Sequence, residues 1–262
     1  MIPEKNQTQK KTEAKIAVIA IKGLYKSFGK NEVLKGIDLS IYKGENVVVL
    51  GRSGSGKSIV IKCIVGLVRA DKGVINVLGT DITKLNTHEI NKIRIQIGFL
   101  FQSAALYDSM SVRDNLMFIL KRHAAKESPD VLEQQVIAIL ESVGLADAID
   151  KMPSELSGGM RKRVGLARTL ILKPEIVLYD EPTTGLDSIT SREISELLLE
   201  IQKKNKTTSI IITHDMECAK LTGNRIVILK EGVIYTEGSY AELEKSEDPW
   251  VRSFFIASPV KT

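Results

Sequence analysis

The 262 residues include only two cysteines, three histidines and one tryptophan. Cys63 and Cys218 stand far apart, at no metal-ligand spacing, in stretches rich in Ile and Val. Disulfide and metal frameworks are therefore not expected, and both cysteines read as buried, reduced thiols of a cytosolic protein. His88 and His123 lie among charged residues and read as solvated surface. No stretch approaches the roughly 18–20 apolar residues of a membrane span; the best run, Ile59 to Leu67, is broken by Lys62. The chain is not expected to cross a bilayer itself. Residues 1–15 are polar, carry Lys and lack a following apolar stretch, so a disordered tail is expected there rather than a signal peptide. Heptads, internal repeats and low-complexity segments are missing too. The net charge of +5 comes from Lys and Arg spread along the chain rather than blocked, so no nucleic-acid partner is expected.

What is there is a mixed α/β pattern. β-Branched runs occur at Ile16–Ile21, Val33–Ile41, Asn46–Leu50, Gly73–Leu78, Ile95–Phe101, Ile176–Tyr179 and Ser209–Thr213. The first ones crowd together, which predicts an antiparallel opening; the later ones alternate with helices, the mark of a parallel sheet covered on both faces. Leu132, Val136, Ile139, Leu140 and Val143 repeat at helical spacing behind Ser128 and Pro129 and ahead of Gly144. Ile194, Leu197, Leu198 and Ile201 form a second stripe. Arg225–Leu229 and Val233–Thr236 read as a hairpin, and Ser239 with Glu242 as a capping box. Residues 103–170 are mostly helical and read as an inserted subdomain within a domain spanning 16–245. The remaining segment, 246–262, is a carboxy-terminal tail whose Trp250, Val251, Phe254, Phe255 and Ile256 are too apolar to stand free, so it is expected to pack on its own domain or on a partner copy.

Three motifs carry chemistry. After the strand Asn46–Leu50 comes Gly51-Arg-Ser53-Gly54-Ser55-Gly56-Lys57-Ser58 and then an apolar helix. Glycines there let backbone N–H groups turn onto phosphates, the helix N-terminus adds partial positive charge, Lys57 reaches the terminal phosphates and Ser58 ligates Mg²⁺. A second apolar strand, Ile176–Tyr179, ends in Asp180-Glu181. Carboxylates at a strand's C-terminal end face the ligand crevice of an α/β sheet; Asp180 suits the Mg²⁺ shell and Glu181 suits polarising the attacking water. The third is Leu156-Ser157-Gly158-Gly159-Met160, where a hydroxyl and glycine N–H groups opening a helix form a second anion site.

With that third motif the chain resembles the ATP-binding cassette (ABC) family over about residues 16–240. The resemblance implies a P-loop nucleotidase fold with a mainly parallel sheet, an antiparallel β subdomain and an inserted helical subdomain. In such proteins Ser157, Gly158 and Gly159 would bind the γ-phosphate of ATP held by the opposite subunit of an ATP-sandwich homodimer. It also implies that Phe28 stacks on adenine, Gln102 senses Mg²⁺ and water, Asp187 of the D-loop Gly185-Leu186-Asp187 belongs to the cofactor-binding set, and His214 contacts the γ-phosphate. Met160 departs from the glutamine usual there. Together with Leu100–Met110 and Asp248–Arg252 it resembles the ATPase of Mla-type phospholipid transport systems. That implies an ATP- and Mg²⁺-dependent ATPase peripheral to the cytoplasmic face of the inner membrane, working with an integral-membrane permease and an MCE-domain lipid-binding protein. A soluble cassette acting on ribosomes or DNA is the other class. The single uninterrupted cassette without heptads or CxxC pairs favours transport, and cargo other than lipid stays open.

Overall fold

The computed structural model describes residues 16–124 and 126–256; the expected tail at 1–15 lies outside them. The chain opens with β1 (Ala17–Phe28), β2 (Asn31–Tyr42) and β3 (Asn46–Gly51), followed by α1 (Lys57–Ile64). Then come β4 (Lys72–Val77), β5 (Thr80–Asp81), α2 (Thr87–Arg94) and β6 (Ile97–Leu100). Helices α3 (Val112–His123), α4 (Pro129–Ser142) and α5 (Gly158–Leu170) precede β7 (Ile176–Asp180) and α6 (Ser188–Asn205). The chain continues through β8 (Thr208–Ile212), α7 (Met216–Thr222), β9 (Arg225–Lys230) and β10 (Val233–Gly238), and ends with α8 (Tyr240–Glu244) and α9 (Pro249–Phe255).

Two sheets result. One is antiparallel, in the order β2-β1-β4-β5; the other runs β10-β9-β3-β8-β7-β6 and is parallel except at its β10 edge. Strands β3 and β8 are buried along their whole length, as a parallel sheet covered on both faces requires. Because strand side chains alternate between faces, each central strand feeds two cores. Val47, Val49, Leu178, Ile210 and Val227 pack with Ile61 and Ile64 of α1 and with Leu24 and Ile37 of the antiparallel sheet. Val48, Leu50, Tyr179, Ile211 and Ile226 pack on the other side with Leu116 of α3, Leu166 of α5, Ile194 of α6 and Cys218 of α7. Both cysteines are buried and free. Burial pushes each thiol up to about 11, so they are packing groups and not nucleophiles.

The helical stretch is anchored by Asn115, fully buried on α3. Its Oδ1 accepts from Tyr107 N–H at 2.8 Å, and its Nδ2 donates to the carbonyls of Tyr107, Met110 and Ser111. Helix α4 starts as expected, with Ser128 Oγ accepting from Val131 N–H ahead of Pro129.

Two strand boundaries differ from expectation in ways that local structure explains. Strand β1 runs on to Phe28, because a shift of register after Ile21 breaks the alternation without ending the pairing. Ile95 caps α2, a helix opened by the Asn86–Glu89 capping box, so β6 begins only at Ile97. The carboxy-terminal segment is helical as α9, and Trp250, Phe254 and Phe255 pack against the chain's own core.

Helix α5 lies close against the strand side of the helical stretch. A Cβ at Gly165 would come within 2.7 Å of Ala104 Cβ and 3.1 Å of Leu100 Cδ1. Gly165→Val should therefore destabilise the fold by about 1–3 kcal/mol, read as an earlier midpoint in urea unfolding; an unshifted midpoint would mean that α5 can move outward freely.

Candidate functional site

Strand β3 delivers its chain to the C-terminal edge of the parallel sheet, where it turns sharply into α1. Gly51 has no room for a side chain: a Cβ would lie 2.6 Å from Leu229 O and 2.5 Å from Ser55 Oγ. Gly56, the residue before α1, sits at φ +102°, a conformation that L side chains avoid, with Leu34 close behind it. No side chain caps α1. Its first backbone N–H groups and the positive end of its dipole are thus available to an anion. Lys57 Nζ donates to the carbonyls of Gly51 (2.8 Å) and Arg52 (3.2 Å).

Strand β7 arrives two positions along the same edge. Ser58 Oγ donates to Asp180 Oδ1 at 3.0 Å, joining two motifs 122 residues apart. Glu181 follows in a left-handed conformation, φ +54°, which costs a non-glycine residue about 1–2 kcal/mol. It is held there from several directions. Its N–H donates to Ile212 O at 2.9 Å, Thr184 Oγ1 donates to its Oε2 at 3.1 Å, and His214 Nδ1 lies 2.8 Å from the same oxygen. His214 comes from the end of β8, the strand between β3 and β7.

These groups line one cavity of about 580 Å³. Its walls carry Phe28, Gly51, Ser53, Gly54, Gly56, Lys57, Ser58, Gln102, Asp180, Glu181 and His214. Phe28 is half exposed at the mouth, where a flat ligand can reach it, rather than in the core. Burial holds the Lys57 ammonium below the ordinary lysine range, against the opposing pull of Glu181 and Asp180. A hydroxyl beside a carboxylate is a hard-oxygen donor pair that fits Mg²⁺ sharing its shell with phosphate and water. No cluster of three His, Cys, Asp or Glu able to hold a metal by itself occurs among the described residues.

Five of the expected residues lie outside this cavity. Ser55 is buried within the loop, not on the cavity wall. Ser157 is exposed and caps α5, its Oγ accepting from Met160 N–H at 3.2 Å; Gly158 and Gly159 form the first turn. Asp187 caps α6: Thr190 donates from its N–H (3.0 Å) and its hydroxyl (2.7 Å), and these bonds hold the carboxyl below the usual range. A Cβ on Gly159 would lie 2.6 Å from Thr190 Cγ2, so Gly159 and the Asp187 cap form one separate surface.

Two residues went unread in the sequence. Thr184 binds Glu181, as above. Lys162 of α5 is almost fully buried, and its Nζ donates to the carbonyls of Gln102 (2.5 Å) and Glu181 (3.2 Å). Burial holds its ammonium below the ordinary lysine range too. The available signal was its place three residues before Gly165, on the inward face of α5.

A strand, a phosphate loop and a helix, with a carboxylate pair on a nearby parallel strand, define a P-loop nucleoside triphosphatase. Residues 34–184 match the profile described as "ABC transporter", and the chain belongs to that family. It is an ATP-binding, ATP-hydrolysing subunit of an ABC transporter. It is 39% identical over 236 residues to "Probable ribonucleotide transport ATP-binding protein mkl" of Mycobacterium leprae, a match covering 90% of this chain and 68% of that protein. It is also 39% identical to "Protein TRIGALACTOSYLDIACYLGLYCEROL 3, chloroplastic" of Arabidopsis thaliana, covering 92% of this chain and 74% of that one. The dimeric structure of the ATP-binding cassette MJ0796 in a post-hydrolysis state with ADP and Pi superposes with a TM-score of 0.78 at 31% identity, over 84% of this chain and 98% of that chain. Cassettes of this family dimerise and pair with membrane permease subunits. No helix among the described residues is long and apolar enough to cross a membrane.

Because Lys162 ties the backbone of Gln102 to that of Glu181, its loss should misplace both without touching nucleotide. Lys162→Ala should lower steady-state ATP turnover at least about tenfold, with the fold retained by circular dichroism. Full turnover in a folded variant would show that the two segments hold their places without it.

Proposed function

We propose that this chain hydrolyses Mg-ATP in two composite sites of a homodimer and so drives a permease that moves phospholipid with an MCE-type partner. One observation carries the composite site. The cavity gathers the phosphate loop, Gln102, Asp180, Glu181 and His214, while the anion-binding turn at Ser157–Gly159 faces solvent on a separate surface. An exposed helix start with hydroxyl and glycine N–H groups, beside the Asp187 cap, suits the γ-phosphate of ATP held by another copy.

Bound Mg²⁺ would screen the phosphate charge and orient the terminal phosphate, held by Ser58, Asp180 and Gln102. Lys57 neutralises the terminal phosphates, and the amides of Ser53, Gly54, Ser55 and Gly56 wrap the chain behind them. Phe28 offers its ring to adenine at the cavity mouth. Glu181, set by Thr184 and His214, orients the attacking water and takes its proton; His214 then lies within reach of the γ-phosphate. Moving a two-state pair from mostly open to mostly closed takes about 5.5 kcal/mol. Two nucleotides, each bridging two copies through charge-assisted hydrogen bonds of about 1.5–3 kcal/mol apiece, can supply it. ATP binding closes the dimer and hydrolysis releases it.

The permease contact is assigned to the surface beside Gln102. Tyr107 and Phe118 are about two-fifths exposed and pack edge to face at 5.4 Å, with the Arg168 guanidinium 4.8 Å from the Tyr107 ring. A rigid exposed aromatic pair suits the apolar side of a docking helix, which would place the chain on the cytoplasmic face of the inner membrane. Phospholipid as cargo is supported by Met160, the Leu100–Met110 segment and Asp248–Arg252. The names of the relatives point in two directions, one to ribonucleotide and one to a galactolipid. The first of these favours a second reading, a transporter for another small substrate.

Glu181→Gln should keep ATP affinity while lowering turnover by about two to four orders of magnitude, and should hold the ATP-bound dimer on its membrane partner. Captured from native membranes, that complex should contain a permease, an MCE-domain protein and phospholipid. Recovery of the permease with a different solute-binding protein and no lipid would replace the phospholipid reading.

Mixing distinguishes composite sites from sites within one chain. Lys57→Ala removes the phosphate cation and Ser157→Arg fills the anion-binding turn, so each homodimer should be nearly inactive. A mixed dimer concentrates both lesions in one site and leaves the other intact. Turnover should recover partly, with a maximum near equal mixing; a flat, inactive curve with mixed dimers demonstrably present would sink the composite mechanism.

A further inference from the structure

Across a small cavity, the phosphate loop is faced from outside by a part of the chain that the nucleotide chemistry does not use. Trp250, on α9, shares a small cavity of about 250 Å³ with Arg52, Ser53, Gly54 and Ser55 on one side and Leu229, Lys230 and Glu231 on the other. Its ring is fixed in place. Lys230 Nζ lies 4.7 Å from the ring centroid, and the rings of Tyr235 and Phe254 meet it edge to face at 5.1 and 5.0 Å. The Tyr235 hydroxyl donates to Asp248, whose other carboxylate oxygen accepts from the N–H groups of Trp250 (2.7 Å) and Val251 (3.3 Å). Val251 anchors the next position in the core.

The same assembly grips the loop's far end. The turn after Lys230 contains Gly232, whose carbonyl accepts from Lys35 N–H at 2.8 Å and whose Cα lies so close to Val33 that a Cβ would meet Val33 O at 2.5 Å. Val33 and Leu34 in turn back Gly56, where a Cβ would meet Leu34 Cδ2 at 2.7 Å and Val33 O at 3.1 Å. Between these supports, Gly54 sits at φ +79°, where a Cβ would meet nothing within 4 Å. A glycine-rich turn loses conformational freedom when it wraps phosphate. A neighbour that already restricts that turn reduces the loss and so strengthens binding without touching the ligand.

We propose that Trp250 is a positioning residue for nucleotide binding: docked α9 braces the outer turn of the phosphate loop, so that the state of the carboxy-terminal helix sets ATP affinity. This rests on the phosphate loop being the ATP site, as proposed above. Trp250 acts through Arg52–Ser55, so its loss should change affinity and leave the chemical step alone.

The chain's only tryptophan is its own reporter. Adding Mg-ATP to the full-length protein should shift the intrinsic tryptophan emission along a saturable curve, and the same titration of Lys57→Ala should be flat. Trp250→Ala should raise the KM for ATP about three- to thirtyfold with kcat within about twofold, and Trp250→Phe should restore most of the affinity. Thermal unfolding of both variants separates bracing from global damage, since equal loss of stability with unequal KM assigns the effect to the ring at this position. If Lys57→Ala still binds ATP, the loop is not the site and the reading beneath this one fails. If Lys57→Ala is flat while Trp250→Ala keeps the original KM, or loses kcat and KM together, the brace alone is refuted.

Discussion

Everything at the catalytic edge depends on β8 lying between β3 and β7 in parallel. That order brings three strand ends, the first more than a hundred residues from the other two in sequence, to the same edge of one sheet. The Lys57–Ser58 step leaves from β3, Asp180 and Glu181 from β7, and His214 from β8. Parallel strands of this kind must be covered on both faces, and their alternation divides the core in two. A one-residue slip of β3 would exchange Val47 and Val49 with Val48 and Leu50 between the cores. It would also carry Gly51 away from Leu229 O, against which only a glycine fits. Packing and phosphate-loop geometry are therefore fixed by the same register.

The helical stretch is tied to that edge from beneath. Lys162 is a cation that burial disfavours, held by two backbone carbonyls from different motifs, and it makes the Gln102 turn and the Glu181 turn one body. Gly165, one turn further along α5, lets the helix approach Ala104 closely enough for Lys162 to reach. The same helix begins at Ser157. A displacement of the turn at Ser157–Gly159 is thus mechanically connected, through Lys162, to Gln102 and Glu181.

Much of this was legible in the sequence because the chemistry is local there. A phosphate loop must be a strand, a glycine turn and a helix in succession, so Gly51–Ser58 declared itself, and Asp180-Glu181 at the end of an apolar strand did the same. The central strands were found because their runs are continuous. What escaped was non-local. Lys162 reads as one more basic residue on a helix until the fold sets two carbonyls above it. Strand β1 was cut short because a register shift after Ile21 ends the alternation without ending the strand. Ile95 looked like strand because a capping box that starts at Asn86 is needed to see that α2 has not yet finished. The apolar composition of 249–256 announced burial but not its address, since composition does not say which surface receives a helix.

Lys57 shows how the site is kept ready. Its ammonium is partly desolvated and bonded to two carbonyls of its own loop, Gly51 and Arg52, rather than to Asp180 or Glu181. A direct ion pair with either carboxylate would lower the energy of the empty site and oppose phosphate binding by the same amount. Neutral carbonyls hold the cation less firmly than a carboxylate would, since they lack a full opposite charge. A terminal phosphate can therefore take the ammonium from the loop with a net gain. Asp180, meanwhile, is engaged by Ser58, the residue with which it would share a cation. At Glu181 the left-handed backbone is secured within the chain itself, by Ile212 O, Thr184 and His214.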